Sequence, residues 1–379
     1  MLRTSFFFAL VAIAHALHPA PHPSGSRNVS LALFNSLEEL ARLVDITYCV
    51  GSTGIQKPFQ CLSRCDEFPG FELVSTWHTG QLLSDSCGYV AISHPPHPKR
   101  IIVAFRGTYS IANTIADLST IPAVYEPFPG DDGDGKDACT TMEEGARQAR
   151  MEAQGTQERE HGAKCENCTV HLGFMTSWRN TRCIITPYVR QARLQYPDYQ
   201  LSLVGHSLGG AVAALASLEF QTLGWDPQVT TFGEPRIGNG AFSRFFDERF
   251  NLSSAQQVAD RYRRVTHASD PVPLLPLEEW GYQPHSGEIF ISRYDLPPAP
   301  GDLELCSGEH DPRCISGSHA TQKSTQDLRK RDLWHIPGRY KLWELFFAHR
   351  DYFWRLGLCV PRDGHWWSPF SPSTPKGVL

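Results

Sequence analysis

The run Leu201-Ser202-Leu203-Val204-Gly205-His206-Ser207-Leu208-Gly209-Gly210-Ala211-Val212-Ala213-Ala214-Leu215 constrains this chain more than any other stretch. It reads as a buried strand, a sharp turn on Gly-x-Ser-x-Gly, and a helix of small residues. Gly205 and Gly209 leave room for a strained strand-to-helix turn that lifts the Ser207 hydroxyl out of the sheet. The Leu208 amide opens the following helix, where backbone N–H groups favour negative charge. In that setting Ser207 is a candidate nucleophile.

The 379 residues suffice for one large α/β domain with insertions or for two small ones, and no clear domain boundary is visible. A formal net charge of −5 and the lack of a large Lys/Arg cluster exclude nucleic acid as an expected partner. Arg3, the apolar run Phe6 to Ile13 and Ala14-His15-Ala16 have the form of a signal peptide over residues 1–16. A flexible Pro-, His- and Ser-rich segment, 17–30, follows it. No later segment reaches the roughly 18 apolar residues of a membrane span. The expectation is a secreted, extracellular protein.

Eleven cysteines fit that compartment. Close pairs suggest local staples at Cys61–Cys65, Cys165–Cys168 and Cys306–Cys314, while Cys49 and Cys359 lie where a bridge would tie the ends of the folded region. Spacing alone leaves the connectivity open. Cys87, Cys139 and Cys183 remain with their pairing open, the odd total leaves a thiol, and a plain buried hydrophobe in a helix is one reading of Cys183. No second Cys/His pair supports a zinc site at Cys165–Cys168, so no metal or cofactor is expected. Asn28, Asn167 and Asn251 begin N-x-S/T triplets and are glycosylation candidates.

Along the chain, Leu31–Tyr48, Phe174–Gln195 and Ala241–Phe250 read as helices. Gly88–Ser93, Arg100–Phe105, Tyr199–Val204, Gln228–Phe232 and Tyr262–His267 read as strands. Their alternation predicts a predominantly parallel central sheet flanked by helices on both faces. Residues 129–164 and 307–334 are polar and read as surface insertions, and 361–379 as an irregular Pro-rich tail.

A serine hydroxyl needs an imidazole to take its proton and a carboxylate to hold that imidazole. On this kind of turn they follow in the order Ser, acid, His. Asp270 is the candidate acid: it follows the strand 262–267 at its carboxyl end and precedes Pro271-Val272-Pro273, and sites in parallel sheets lie at such strand ends. His349, in Phe346-Phe347-Ala348-His349-Arg350-Asp351-Tyr352-Phe353, is the candidate base. On the residues alone His335 is nearly as good, and His319 and His365 also follow Asp270. His206 and His267 read as structural histidines bonded to loops. A second oxyanion donor is expected at Thr108 in Phe105-Arg106-Gly107-Thr108. Behind it Ile111, Ile115 and Leu118 form a helical apolar stripe, the pattern of a movable lid that covers the site in water and turns outward on lipid.

Taken in order, these motifs resemble the filamentous-fungal triacylglycerol lipases of the class 3 family. The likeness runs through Phe105-Arg106-Gly107-Thr108, Val170-His171-Leu172-Gly173-Phe174 and Tyr196-Pro197-Asp198-Tyr199. It continues in Gly205-His206-Ser207-Leu208-Gly209-Gly210, Phe232-Gly233-Glu234-Pro235-Arg236-Ile237-Gly238-Asn239 and Arg264-Val265-Thr266-His267-Ala268-Ser269-Asp270-Pro271, and ends in His349-Arg350-Asp351-Tyr352-Phe353 and Cys359. The resemblance implies an α/β-hydrolase fold over 31–360 with a lid helix at about 110–121. It implies Ser207 as nucleophile, Asp270 as acid, His349 rather than His335 as base, and Thr108 and Leu208 as oxyanion hole. It also implies the pairs Cys49–Cys359, Cys61–Cys65 and Cys165–Cys168. The implied activity is ester hydrolysis of acylglycerols at an oil–water interface, without a cofactor. A feruloyl-type wall esterase and a non-catalytic lipid-binding protein are the alternatives. Thr114 stands where some relatives carry a lid tryptophan.

Overall fold

Strands rich in Val, Ile, Leu and Phe, buried on both faces, predict a sheet with helices on each side. The computed structural model has that architecture. It describes residues 27–80, 86–108, 122–126, 165–252, 261–315, 317 and 347–360. The signal segment, the lid residues Ile111, Ile115 and Leu118, the insertion 129–164, most of 307–334, the tail, Cys139, His319, His335 and His365 lie outside the described residues.

Eight strands lie in chain order across one sheet: β1 (Phe71–His78), β2 (Cys87–Ser93), β3 (Arg100–Phe105), β4 (Gln200–His206), β5 (Gln228–Phe232), β6 (Tyr262–His267), β7 (Glu288–Ile291) and β8 (Leu303–Leu305). Pairings from β3 to β7 are parallel. The edge pairings β1–β2, β2–β3 and β7–β8 are antiparallel. The parallel centre is therefore crossed by α2 (Leu172–Gln195), α3 (Leu208–Thr222) and α4 (Gly240–Phe250), while α1 (Leu31–Ile46) precedes the sheet.

The pleat divides each strand between two cores. Ile101, Val103 and Phe105 of β3 join the residues of α2, α3 and α4 on one face. Ile102 and Ala104 join α1 and the C-terminal Tyr352, Phe353 and Leu356 on the other. α1 presents Leu37, Leu40, Ala41 and Val44 to that second core, a helical spacing, and starts at Ser30, whose hydroxyl accepts the Leu33 amide at 3.1 Å. It is shorter than the sequence suggests: the Thr47 hydroxyl donates to Val44 O at 2.5 Å, and Thr47–Cys49 tighten into a 3₁₀ turn.

All four expected disulfides are present. Cys183 corrects the sequence reading: it is disulfide-bonded, not a plain buried hydrophobe, with its partner outside the described residues. It lies on the half-exposed side of α2, whereas the buried thiol belongs to Cys87 at the start of β2. The start of the second insertion lies at the surface, with Ser307, Gly308, His310, Pro312 and Arg313 exposed, and is pinned by the buried Asp311, which accepts the Ser307 and Arg313 amides and pairs with Arg27. Asn28, Asn167 and Asn251 are all exposed.

Cys49–Cys359 closes a loop of 310 residues and joins the end of α1 to the segment that carries His349. Replacing both cysteines by serine is expected to lower the unfolding free energy by about 2–5 kcal/mol, read as a fall in the chemical-denaturation midpoint. An unchanged midpoint would mean that packing alone holds this join.

Candidate active site

β4 leaves the sheet centre at His206, and α3 begins at Leu208, so Ser207 makes the whole turn. Its backbone has φ 58° and ψ −129°, a conformation a side-chain-bearing residue rarely adopts. Close approach explains the glycines around it. A Cβ at Gly205 would lie 2.3 Å from Gly209 O, and one at Gly209 would lie 2.5 Å from Phe105 O. The turn is tied to its neighbour by Ser207 N–H donating to Phe232 O at 2.9 Å. Gly210 N–H and Ala211 N–H bond back to Ser207 O, which leaves the Leu208 amide at the open end of α3.

Asp270 follows β6, as its sequence position suggests, and is 1% exposed. Its Oδ1 accepts the Val272 amide at 2.9 Å and its Oδ2 accepts the Tyr352 hydroxyl at 2.6 Å. Both oxygens stand 2.9 Å from Nδ1 of His349. Burial and the adjacent carboxylate push the Tyr352 phenol well above its ordinary range, so it stays a donor. His349 is 0% exposed, and its Nε2 has no hydrogen-bond partner. The Ser207 Oγ is also buried and unpartnered.

The two unpartnered atoms belong to neighbouring groups. Gly233, directly after the residue that accepts the Ser207 amide, lies against the imidazole: a Cβ there would meet His349 Cε1 at 2.8 Å and Asp270 Oδ2 at 2.9 Å. On the other side, a Cβ at Gly107 would meet Ser207 Cβ at 2.8 Å. This places the half-buried Thr108, next in the chain, beside the nucleophile candidate. Ser207, Asp270, His349, Leu208 and Thr108 thus converge at the carboxyl ends of β3, β4 and β6.

His206 and His267 have the structural contacts expected of them. His267 Nδ1 is 2.8 Å from the Ser269 hydroxyl. His206 bonds Tyr48 and the His349 backbone. The sequence gives Tyr352 no role beyond its place in the family pattern His349-Arg350-Asp351-Tyr352-Phe353, and gives Tyr48 none. Arg236 is a further unanticipated support: its guanidinium donates to Leu274 O and Pro276 O in the loop that leaves Asp270. Among the described residues, no cluster of three or more His, Cys, Asp or Glu is arranged to hold a metal ion.

Comparison with known proteins agrees with this geometry. Residues 102–280 match the family model described as lipase (class 3). A secreted mono- and diacylglycerol lipase 2 from Gibberella zeae is 49% identical over 92% of this chain and 86% of its own. The chain belongs to the class 3 lipase family. The crystal structure of Lip2 lipase from Yarrowia lipolytica superposes with a TM-score of 0.68 at 30% identity, covering 88% of this lipase and 97% of that chain. A triacylglycerol lipase described as having a serine protease triad as its catalytic centre gives a TM-score of 0.59 at 25% identity, over 88% and 99% of the two chains. This lipase is a secreted carboxylic ester hydrolase with the α/β-hydrolase fold.

Proposed function

We propose that this lipase cleaves acylglycerol esters through a Ser207–His349–Asp270 triad. One observation carries the assignment: His349 spends Nδ1 on both Asp270 oxygens, while its Nε2 and the Ser207 Oγ are both buried without a hydrogen-bond partner, in residues brought together around Phe232-Gly233. A base held in one tautomer and a nucleophile with no competing bond are what acyl transfer requires. Hydrogen bonds of this kind tighten when substrate arrives.

Ser207 Oγ attacks the ester carbonyl while His349 Nε2 takes its proton, and Asp270 stabilises the resulting imidazolium. The Leu208 and Thr108 amides face the oxyanion, each such donor contributing about 2.7–4 kcal/mol. His349 returns the proton to the departing alcohol. Water then repeats the sequence on the acyl-enzyme and releases the fatty acid. Tyr352 and the Val272 amide keep the Asp270 carboxylate aimed.

The substrate reading draws on the relatives, which include a secreted mono- and diacylglycerol lipase. Its test compares turnover of emulsified tributyrin, dibutyrin and monobutyrin with that of methyl ferulate. The expected result is hydrolysis of one or more glycerides at least about tenfold faster than of the ferulate, the scale on which an apolar pocket separates acyl groups. Faster ferulate release would assign the chain to the wall esterases instead.

A further inference from the structure

His206 precedes the nucleophile and takes no part in the reaction above, yet it is 1% exposed and both ring nitrogens are engaged. Its Nε2 lies 2.9 Å from the main-chain oxygen of His349. A carbonyl only accepts, so Nε2 carries the hydrogen. Nδ1 lies 2.5 Å from the Tyr48 hydroxyl and, in the neutral ring, accepts from it. The ring is neutral because burial, then the neighbouring His349, holds His206 well below the usual histidine range. Arg350 acts in the same direction, its guanidinium stacked 5.2 Å over the Tyr48 ring. The His206 and His349 rings themselves lie 4.6 Å apart at 32°.

His349 needs such a hold. It lies outside the sheet, in the segment 347–360, so no strand register aims it. We propose that His206 is a positioning residue for the base: its Nε2–H bond to the His349 carbonyl carries the geometry of the Ser207 turn to the residue that must take the serine proton. Tyr48 fixes the tautomer that makes this bond possible. The role rests on the triad reading and adds to it a side chain that acts through the base rather than on the substrate.

Two substitutions separate the two ring nitrogens. Glutamine places an amide nitrogen where Nε2 stands and keeps the donor to His349. Asparagine reaches only the Nδ1 position and loses that donor. The measurements are kcat and KM on p-nitrophenyl butyrate and the rate of phosphonylation by an alkyl p-nitrophenyl phosphonate, in the full chain. H206N is expected to lower kcat and the phosphonylation rate together by about 10²-fold, the scale of a misaimed catalytic group, with KM within about twofold. H206Q is expected to stay above a tenth of the wild-type kcat. An H206N kcat within about threefold of wild type, or an H206Q kcat below a tenth of it, overturns the proposal. If H206N does not fold, the H206Q limit decides alone. Retained turnover in S207A would remove the triad and this role with it, whereas an inactive S207A beside a fully active H206N would remove the positioning role only.

Discussion

Ser207→Ala is expected to lower kcat on p-nitrophenyl butyrate by about 10⁵-fold or more and to leave the thermal midpoint close to wild type. The two expectations have separate causes. The loss of rate follows from removing the only atom proposed to form the acyl bond, after which just the oxyanion donors and substrate binding still act. The unchanged midpoint follows because Ser207 Oγ makes no hydrogen bond among the described residues, so its removal breaks none there. Alanine also inherits the same φ of 58° at no greater steric cost than serine. Turnover above a tenth of wild type would remove Ser207 from the mechanism.

Asp270→Asn is expected to lower kcat by about 10⁴-fold with little change in KM, because the imidazole is turned into the wrong tautomer. The surroundings dictate how. Val272 N–H donates to one oxygen and Tyr352 O–H to the other, while His349 Nδ1 contacts both. An amide offers one acceptor in place of two. With its oxygen kept by the Val272 amide, its NH₂ faces Nδ1 and donates to it. The imidazole hydrogen then moves to Nε2, the atom that must accept the serine proton. Steady-state kinetics read the outcome, and a loss smaller than about tenfold would contradict the tautomer argument.

The parts of this site that were legible in the sequence are those written locally. Ser207 was legible because strand, turn and small-residue helix are contiguous, and Asp270 because it ends a strand in a sheet of known direction. His349 was not separable from His335 by its own neighbourhood. Among the described residues 347–360 no named strand carries it, and only the likeness to the lipase family chose it. The bond from Tyr48 to His206 spans 158 residues and the one from His206 to His349 spans 143, so no period or motif announces either. The disulfides divide in the same way. Cys61–Cys65, Cys165–Cys168 and Cys306–Cys314 are close neighbours in the chain, whereas the Cys183 bridge was missed because its helix reads as amphipathic.

In the fold, β2 to β6 were legible as strands, while β1 was not. A register shift between Leu73 and Ser75 breaks its alternation. β7 and β8 were missed as well, being only four and three residues long. The apolar stripe of Ile111, Ile115 and Leu118 is clear in the sequence but lies outside the described residues.

The central claim is that Ser207, activated by His349, is the single acyl acceptor. Its most direct measurement is the mass of the protein after reaction with an alkyl p-nitrophenyl phosphonate, followed by peptide mapping of the adduct. One phosphonyl group per chain is expected, attached to Ser207, and none on S207A. An adduct on another residue, or an active enzyme that forms none, would contradict it.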